Sequence, residues 1–479
     1  MRQRFDAQLR IGATPISEIR IPLNSRDEFP PFLRAVQEIY KSPELSSEIF
    51  DLVESAVCLK NIKDGRPGMN LWMIFVLAGA RMCLGTNYDR LHYLVNSDGL
   101  LRKMLGFCDA FIEDDEISCQ TIKDNVRLLD DETLKGINDV VVKLGHELFK
   151  KKETEALLTK TDSYVLESNV HFPTDYNLLW DGARKSLDMI DKLLIINPTI
   201  DGWRKLEYWR RDLKNLLLKV TRAQASSGKG KELRVEKAVN AYLDMSRKLA
   251  KKIEDFVMET DFCTIKQESI AFELCYFQSM IVKHIDLVNR RLILKETISA
   301  SEKIYSIFET YTEWITKGKM RPNVELGKRV NITTDQFHLI IDWEISNHTA
   351  DVDMLIPLVD RLIAKYKIQS LSADKGYFKK DYKELLALFI PKVVIPKKGK
   401  LSVTEKEEGS DPQFLKTRHK HSAIESNINE LEHRGLDRCK DRGFSGFKKY
   451  VGVGVIAFNL KRIGEFLLSR DKGLLKQAA

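Results

Sequence analysis

The sequence predicts an α/β protein in which a large helical insertion separates the first strand from the others, with a helical region ahead of both. Three observations carry this. Short runs rich in β-branched and aromatic residues occur just after Asp162 and again from about Gly327 to Gly399, the pattern of strands. Between these groups, residues 182 to about 316 repeat apolar positions at helical spacing, as in Trp203, Leu206, Trp209, Leu213 and Leu217. Ahead of both, residues 1 to about 150 show helical spacing without strand-like runs.

At 479 residues the chain is long enough for two or three domains with sizeable cores. Its 43% hydrophobic and 30% charged residues describe a folded chain and exclude a disordered one. Lysine and arginine exceed aspartate and glutamate by 77 − 69 = 8, which permits a nucleic-acid partner without requiring one. The distribution says more: residues 202–256 hold fifteen Lys/Arg against seven Asp/Glu, and 372–400 hold eight lysines against three acids. The opening MRQRFDAQLRIG lacks an apolar core segment, so no secretory leader is expected there. The run LWMIFVLAGARMCLG is broken by Arg81 before it reaches the roughly 20 residues of a membrane span, and it reads as a buried helix. Seven cysteines without a CxxC pair fit reduced thiols and a cytoplasmic setting, and their spacing argues against structural zinc.

In the amino-terminal region, ISCQTIKDNVRLLDDETLKGINDVVVKLGHELF predicts two amphipathic helices, with Ser118 and Asp131 as candidate caps. The first of them suits either a DNA groove or an ordinary surface position. The region 155–181 opens the core: SYVLESNVHF reads as a strand or hairpin that ends before Pro173. The insertion 182–316 follows, with a flexible joint expected at ASSGKGKE (225–232). The remainder of the core, 317–470, reads as two strands in KRVNITTDQFHLIIDWEI, a helix over 351–366, a strand KIQSLSAD, a helix KDYKELLALF and a strand KVVIPKKG. Helices from about His419 close the chain.

Three acids stand where an α/β enzyme places its chemistry. Asp374 ends the strand KIQSLSAD, Asp162 lies at or just inside the start of the first strand, and Glu425 belongs to HSAIESNINELEHRG. That last segment predicts one helix carrying His421, Glu425 and Glu432 along a face. Two aspartates and a glutamate on separate elements suit two divalent cations and an in-line phosphoryl transfer, with Mg²⁺ favoured by all-oxygen ligands and Mn²⁺ able to substitute. Read from the residues alone, Asp162 as a cap, Asp374 as a turn residue and Glu425 as a solvated helix position remain open.

The blocks DSYVLESNVHFPTDYNLLWDG, LSADKGYF and HSAIESNINELEHRGLDRCKDRG resemble, in this order, those of bacterial insertion-sequence transposases of the DDE type. The flanks GKMRPNVELGKRV, VVIPKKGK and YVGVGVIAFNLKRIG extend the resemblance, as does GRPGMNLWMIFVLAGARMCLG near the start. It implies a mixed-sheet catalytic core with an RNase H-like fold, interrupted by the helical insertion. It also implies a helical amino-terminal DNA-binding domain and the catalytic and metal-binding set Asp162, Asp374 and Glu425. Asp175 and Asp181 are rivals to Asp162. In some relatives a tyrosine, an arginine and a lysine surround the glutamate; here those slots hold Arg418, His421 and Glu432, and Glu432 cannot replace a phosphate-binding lysine.

The implied reaction is cleavage at the ends of an insertion element, followed by attack of the exposed 3′-OH on target DNA. The implied partners are double-stranded DNA and a second copy of the chain assembled on it, with no membrane partner. A metal-dependent nuclease without strand transfer, and a non-catalytic DNA-binding protein derived from a transposase, are the alternatives. Lys375, Lys379, Lys380, Lys397, Lys398 and Lys400, close to the second aspartate and the next strand, are candidate phosphate contacts, as are Arg418 and His421. Arg210, Arg211, Lys214 and Arg222 are candidates on the insertion. Trp203 and Trp209 suit either stacking on an unpaired base or packing in a helix core, and Asp342 is a carboxylate near the middle strands not expected on metal.

Overall fold

The computed structural model describes residues 3–5, 12–57, 68–108, 116–316, 324–397 and 399–478. The chain divides into two compact units, Met1–Asn169 with Ile315–Ala479, and Val170–Trp314. Among the described residues the first opens with the α-helices α1 (Phe29–Lys41), α2 (Pro43–Val57), α3 (Leu71–Cys83), α4 (Tyr88–Ser97), α5 (Gly99–Met104), α6 (Cys119–Val126) and α7 (Asp131–Leu148). The apolar run over 71–84 forms α3, buried at nearly every position and capped by Asn70, whose side chain accepts from the Met73 N–H. Ser118 caps α6 as expected. Asp130, one residue before the expected Asp131, caps α7, because its extended backbone lets its carboxylate reach the Thr133 N–H. Among the described residues no helix is long and apolar enough to cross a membrane.

The strand β1 (Leu157–Ser168) follows, a single strand where a hairpin was one of two expectations. Beyond Pro173, Thr174 caps α8 (Asp175–Ile196), accepting from the Asn177 N–H, so the helical segment starts before the expected residue 182. With α9 (Leu206–Ala225), α10 (Lys231–Glu259) and α11 (Ile265–Val288) it forms the second unit around its own core, which includes Leu187, Leu213, Tyr242 and Phe277. The expected flexible joint is a tight turn between α9 and α10. Gly228 and Gly230 take left-handed backbone there, and the Arg234 guanidinium donates to the Ser227 carbonyl at 3.0 Å.

The remaining strands are β2 (Glu313–Thr316), β3 (Val324–Thr334), β4 (Ile340–Ile345), β5 (Ile368–Ala373), β6 (Lys392–Val394) and β7 (Arg438–Cys439). They complete a seven-stranded mixed sheet of order β2-β3-β1-β5-β6, in which β4 also pairs with β3 and β7 with β1. The central β1 is antiparallel to β3 and parallel to β5, and β5 is parallel to β6. Helix α12 (Asp351–Lys365) links β4 to β5, and α13 (Lys380–Leu386) links β5 to β6. After β6 come α14 (Val403–Ser410), α15 (Pro412–His421) and α16 (Ala423–Leu431), then the closing α17 (Gly443–Ala478). His421 and Glu425, expected on one helix, fall on two. The break is at Ser422, whose hydroxyl bonds the His419 carbonyl at 2.8 Å and competes with the helical ladder.

The amino-terminal helices share a compact unit with the sheet, so residue 150 is not a boundary between bodies. A buried amide bracket joins them: Asn459 of α17 accepts from the Ile340 N–H at 2.9 Å and donates to the Asn138 side chain of α7 at 2.8 Å. Where α17 crosses α1, a Cβ on Gly464 would overlap the Pro31 carbonyl, so the two backbones meet directly.

Candidate active site

The ladder register builds the site. Thr161 of β1 pairs in parallel with Ala373, the last residue of β5. One residue further on, Asp162 and Asp374 therefore stand side by side, with strand neighbours about 4.8 Å apart. Asp162 lies in the middle of β1, deeper than its expected place near the strand start, and the Ser163 N–H donates to its Oδ1 at 2.8 Å. Asp374 is exposed. Glu425 reaches out from the first turn of α16, a helix anchored by buried Ile424, Asn427 and Leu431.

Burial pushes the Asp162 carboxyl up to about 6, the Ser163 N–H opposes this, and the negative charges of Asp374, Glu425 and Asp351 raise it further. The charged groups acting most on it are thus all carboxylates. Burial lowers the His421 imidazole below its ordinary value, and the negative charges of Asp374 and Glu425 oppose this. Its Nδ1 lies 3.1 Å from the Ser372 hydroxyl, so the ring packs toward β5. Among the described residues no three His, Cys, Asp or Glu side chains already converge as a metal-holding group. The donor set nonetheless fits a divalent cation, because mutually repelling carboxylates beside a partly buried one are what a bound cation relieves.

Sequence reasoning missed two neighbours. Asp351, at the start of α12, has a buried Oδ1 without a hydrogen-bond partner, and its Oδ2 is 3.6 Å from Arg329. In sequence it looks like any acid in a helix's first turn. Tyr377 follows Asp374 within LSADKGYF and is 1% exposed. Its hydroxyl accepts from the Asn331 side-chain amide and also bonds the Ser163 side chain. Asn331 in turn accepts from the Thr161 hydroxyl at 3.0 Å, so the network spans β1, β3 and the turn after β5.

Lys375, Lys380, Lys397 and Arg418 come together around one cavity of about 760 Å³, joined by Lys383 and floored by Phe378 and Phe414. Lys379 instead lies over the Tyr382 ring at 3.9 Å. Lys398 lies outside the described residues. On the second unit, Arg210 is held by Asp188 at 2.9 Å and by Glu207, so ion pairs occupy this candidate phosphate contact. Arg211 is largely exposed beside Asp212 at 3.4 Å, and Lys214 lies 5.2 Å from the Trp180 ring centroid. Trp203 packs against Phe256 and Trp209 against the same helical core. Asp175 pairs with Arg291 at 2.9 Å and Asp181 with His171 at 2.6 Å, both within that unit. Asp342 pairs with Arg361 at 2.8 Å.

Residues 304–460 match the family model described as Transposase DDE domain, a span that contains Asp374 and Glu425 and begins after Asp162. No curated protein and no solved structure matches the chain. The match over residues 304–460 is to the family expected from the three acidic blocks, the DDE-type transposases.

Proposed function

We propose that the chain is a transposase that cleaves phosphodiesters at the ends of an insertion element and joins the exposed 3′-OH to target DNA, using Mg²⁺ or Mn²⁺. The single observation behind this is the register that sets Asp162 beside Asp374, with Glu425 acting on the same partly buried carboxyl. The strand order around β1 supports an RNase H-like core, with Val170–Trp314 as its helical insertion.

Asp162, Asp374 and Glu425 would hold the cations, which would relieve the repulsion among these like charges. The chemistry that divalent cations supply in such a set is a lowered pKa for the attacking oxygen and stabilisation of the leaving one. The chain's own contribution is placement. The Ser163 N–H holds the Asp162 carboxylate in the middle of β1, the Tyr377–Asn331 bond ties the turn after β5 to β3, and Lys375, Lys380 and Arg418 offer charge to DNA phosphates next to Asp374. The amino-terminal helices would contact the element ends, and two copies would assemble on paired ends in the bacterial cytoplasm.

The test is incubation of the purified chain with DNA carrying its own element's ends and Mg²⁺, resolved on a sequencing gel. Nicks exposing a 3′-OH at the element boundary and joined products are expected. Nicks without joined products would leave a nuclease, and equal cleavage by D374N would remove Asp374 from the chemistry.

A further inference from the structure

A second cavity, of about 600 Å³, lies between the β1–β5 face and helices α15 and α16. Its floor includes Lys160 on β1 and Ser370 and Ser372 on β5; its wall includes Lys416, Lys420 and Ser426. Alternation along a strand puts Lys160 on the same face as Asp162, and Ser372 on the same face as Asp374. The groove therefore leads along both strands to the carboxylate pair, about 7 Å away at two residues' rise.

Its chemistry differs from that of the first cavity. Among the described residues no Asp or Glu lines it, and its only rings are the imidazoles of His338 and His419, whereas the first has Glu384, Phe378 and Phe414. Hydroxyls, amides and ammonium groups without an aromatic platform suit a sugar-phosphate backbone and not a stacked base. Lys160 is buried, with its Nζ donating to the Asp335 carbonyl at 3.3 Å, which fixes its amine in the floor. Lys392 donates to the Gln413 carbonyl at 2.8 Å and ties the start of α15 to β6. Lys416 and Lys420 are exposed on the wall.

We infer that this groove holds the sugar-phosphate backbone of the DNA strand leading to the Asp162–Asp374 pair, with Lys416 and Lys420 as its phosphate contacts. This rests on the transposase reading and adds a binding track to it, separate from the lysines around Asp374.

The full-length chain is titrated, in EDTA, with a fluorescein-labelled duplex oligonucleotide over a series of KCl concentrations, and affinity is read by anisotropy. Each phosphate contact contributes about 0.9 to the slope of log K against log salt. The double variant K416Q/K420Q is expected to lower that slope by about 2 and to weaken binding at low salt. The control pair K266Q/K283Q, exposed on α11, is expected to leave it unchanged. An unchanged slope in K416Q/K420Q, or an equal fall in the control, overturns the groove assignment alone. A wild-type chain that binds no duplex at any salt overturns the transposase reading, and the groove assignment with it.

Discussion

Asp162 and Asp374 are neighbours across the parallel ladder of β1 and β5, one residue past the rung that pairs Thr161 with Ala373. Burial is the main cause that raises the Asp162 carboxyl, and the negative charge of Asp374 beside it adds to the rise. An arrangement that costs folding energy in the isolated chain is explained by what it does when a cation arrives. Arg361 neutralises Asp342 nearby on β4, whereas the groups acting most on Asp162 are themselves acids.

Removing any one of the three acids tests this directly. D162N, D374N and E425Q are each expected to lower cleavage of matched element ends at least ~100-fold, since even outer-shell partners of a metal site are worth about 10–100-fold. DNA affinity in EDTA should stay within about threefold of wild type, because none of the three is a cation that meets phosphate. Parallel gel cleavage and anisotropy measurements check both halves.

The Asp162 shift sets a pH dependence with a definite sign. Its carboxyl titrates near 6 when folded, against about 3.9 in an unfolded chain. Between those values the folded state keeps a proton that the unfolded chain has lost, so this group's contribution to stability falls as pH rises from about 4 to about 6. Two pKa units correspond to on the order of 3 kcal/mol. In EDTA, D162N should therefore be more stable than wild type at pH 7.5 and no more stable at pH 4, by urea unfolding. Mg²⁺ should raise the Tm of wild type and leave that of D162N nearly unchanged. A difference between the two proteins that is constant across pH would contradict the assignment.

Much of this site is visible in the residues, and what is hidden has physical causes. Asp374 is legible because an apolar run stops at Asp-Lys-Gly, the mark of a strand end. Glu425 is legible because its helix keeps Ile424 and Leu431 on a buried face. Asp162 is harder to place, since β1 is central and buries polar residues such as Thr159, Lys160 and Thr161 beside it. Its neighbours across the sheet come from residues far along the chain, and register is a long-range property that local periodicity cannot supply. The same limit hides Asp351 and the Tyr377–Asn331 contact. The shifted start of the helical unit has a local cause: Pro173 reads as a break, and Thr174 then caps a helix at once.

Tyr377 is expected to position the two aspartates without touching DNA. Y377F leaves the Asn331 amide, 1% exposed, without its acceptor, at a cost of about 1–3 kcal/mol. A purely structural loss would lower Tm and leave the metal dependence of the reaction alone. If the network holds the end of β5 against β1, the Mg²⁺ concentration for half-maximal cleavage should rise by about tenfold or more. Cleavage titrated with Mg²⁺, at a temperature where both proteins are folded, separates these outcomes.

A buried ion pair joins the amino-terminal helices to the segment leading into α17. Arg81, the residue that interrupts the apolar run of α3, is 6% exposed at its side chain and makes two bonds to Asp441, at 2.8 and 2.6 Å. Its guanidinium also lies 3.9 Å from the Tyr88 ring centroid. A charge in such a place is tolerated because its partner is fixed. D441A removes the partner and leaves a buried guanidinium, which should cost about 3–5 kcal/mol by urea unfolding. R81L/D441L removes both charges and should recover most of that loss, since an apolar pair of similar volume is often neutral or better. Equal destabilisation in the single and double variants would mean that packing by the Arg81 stem, and not its charge, holds α3 against this segment.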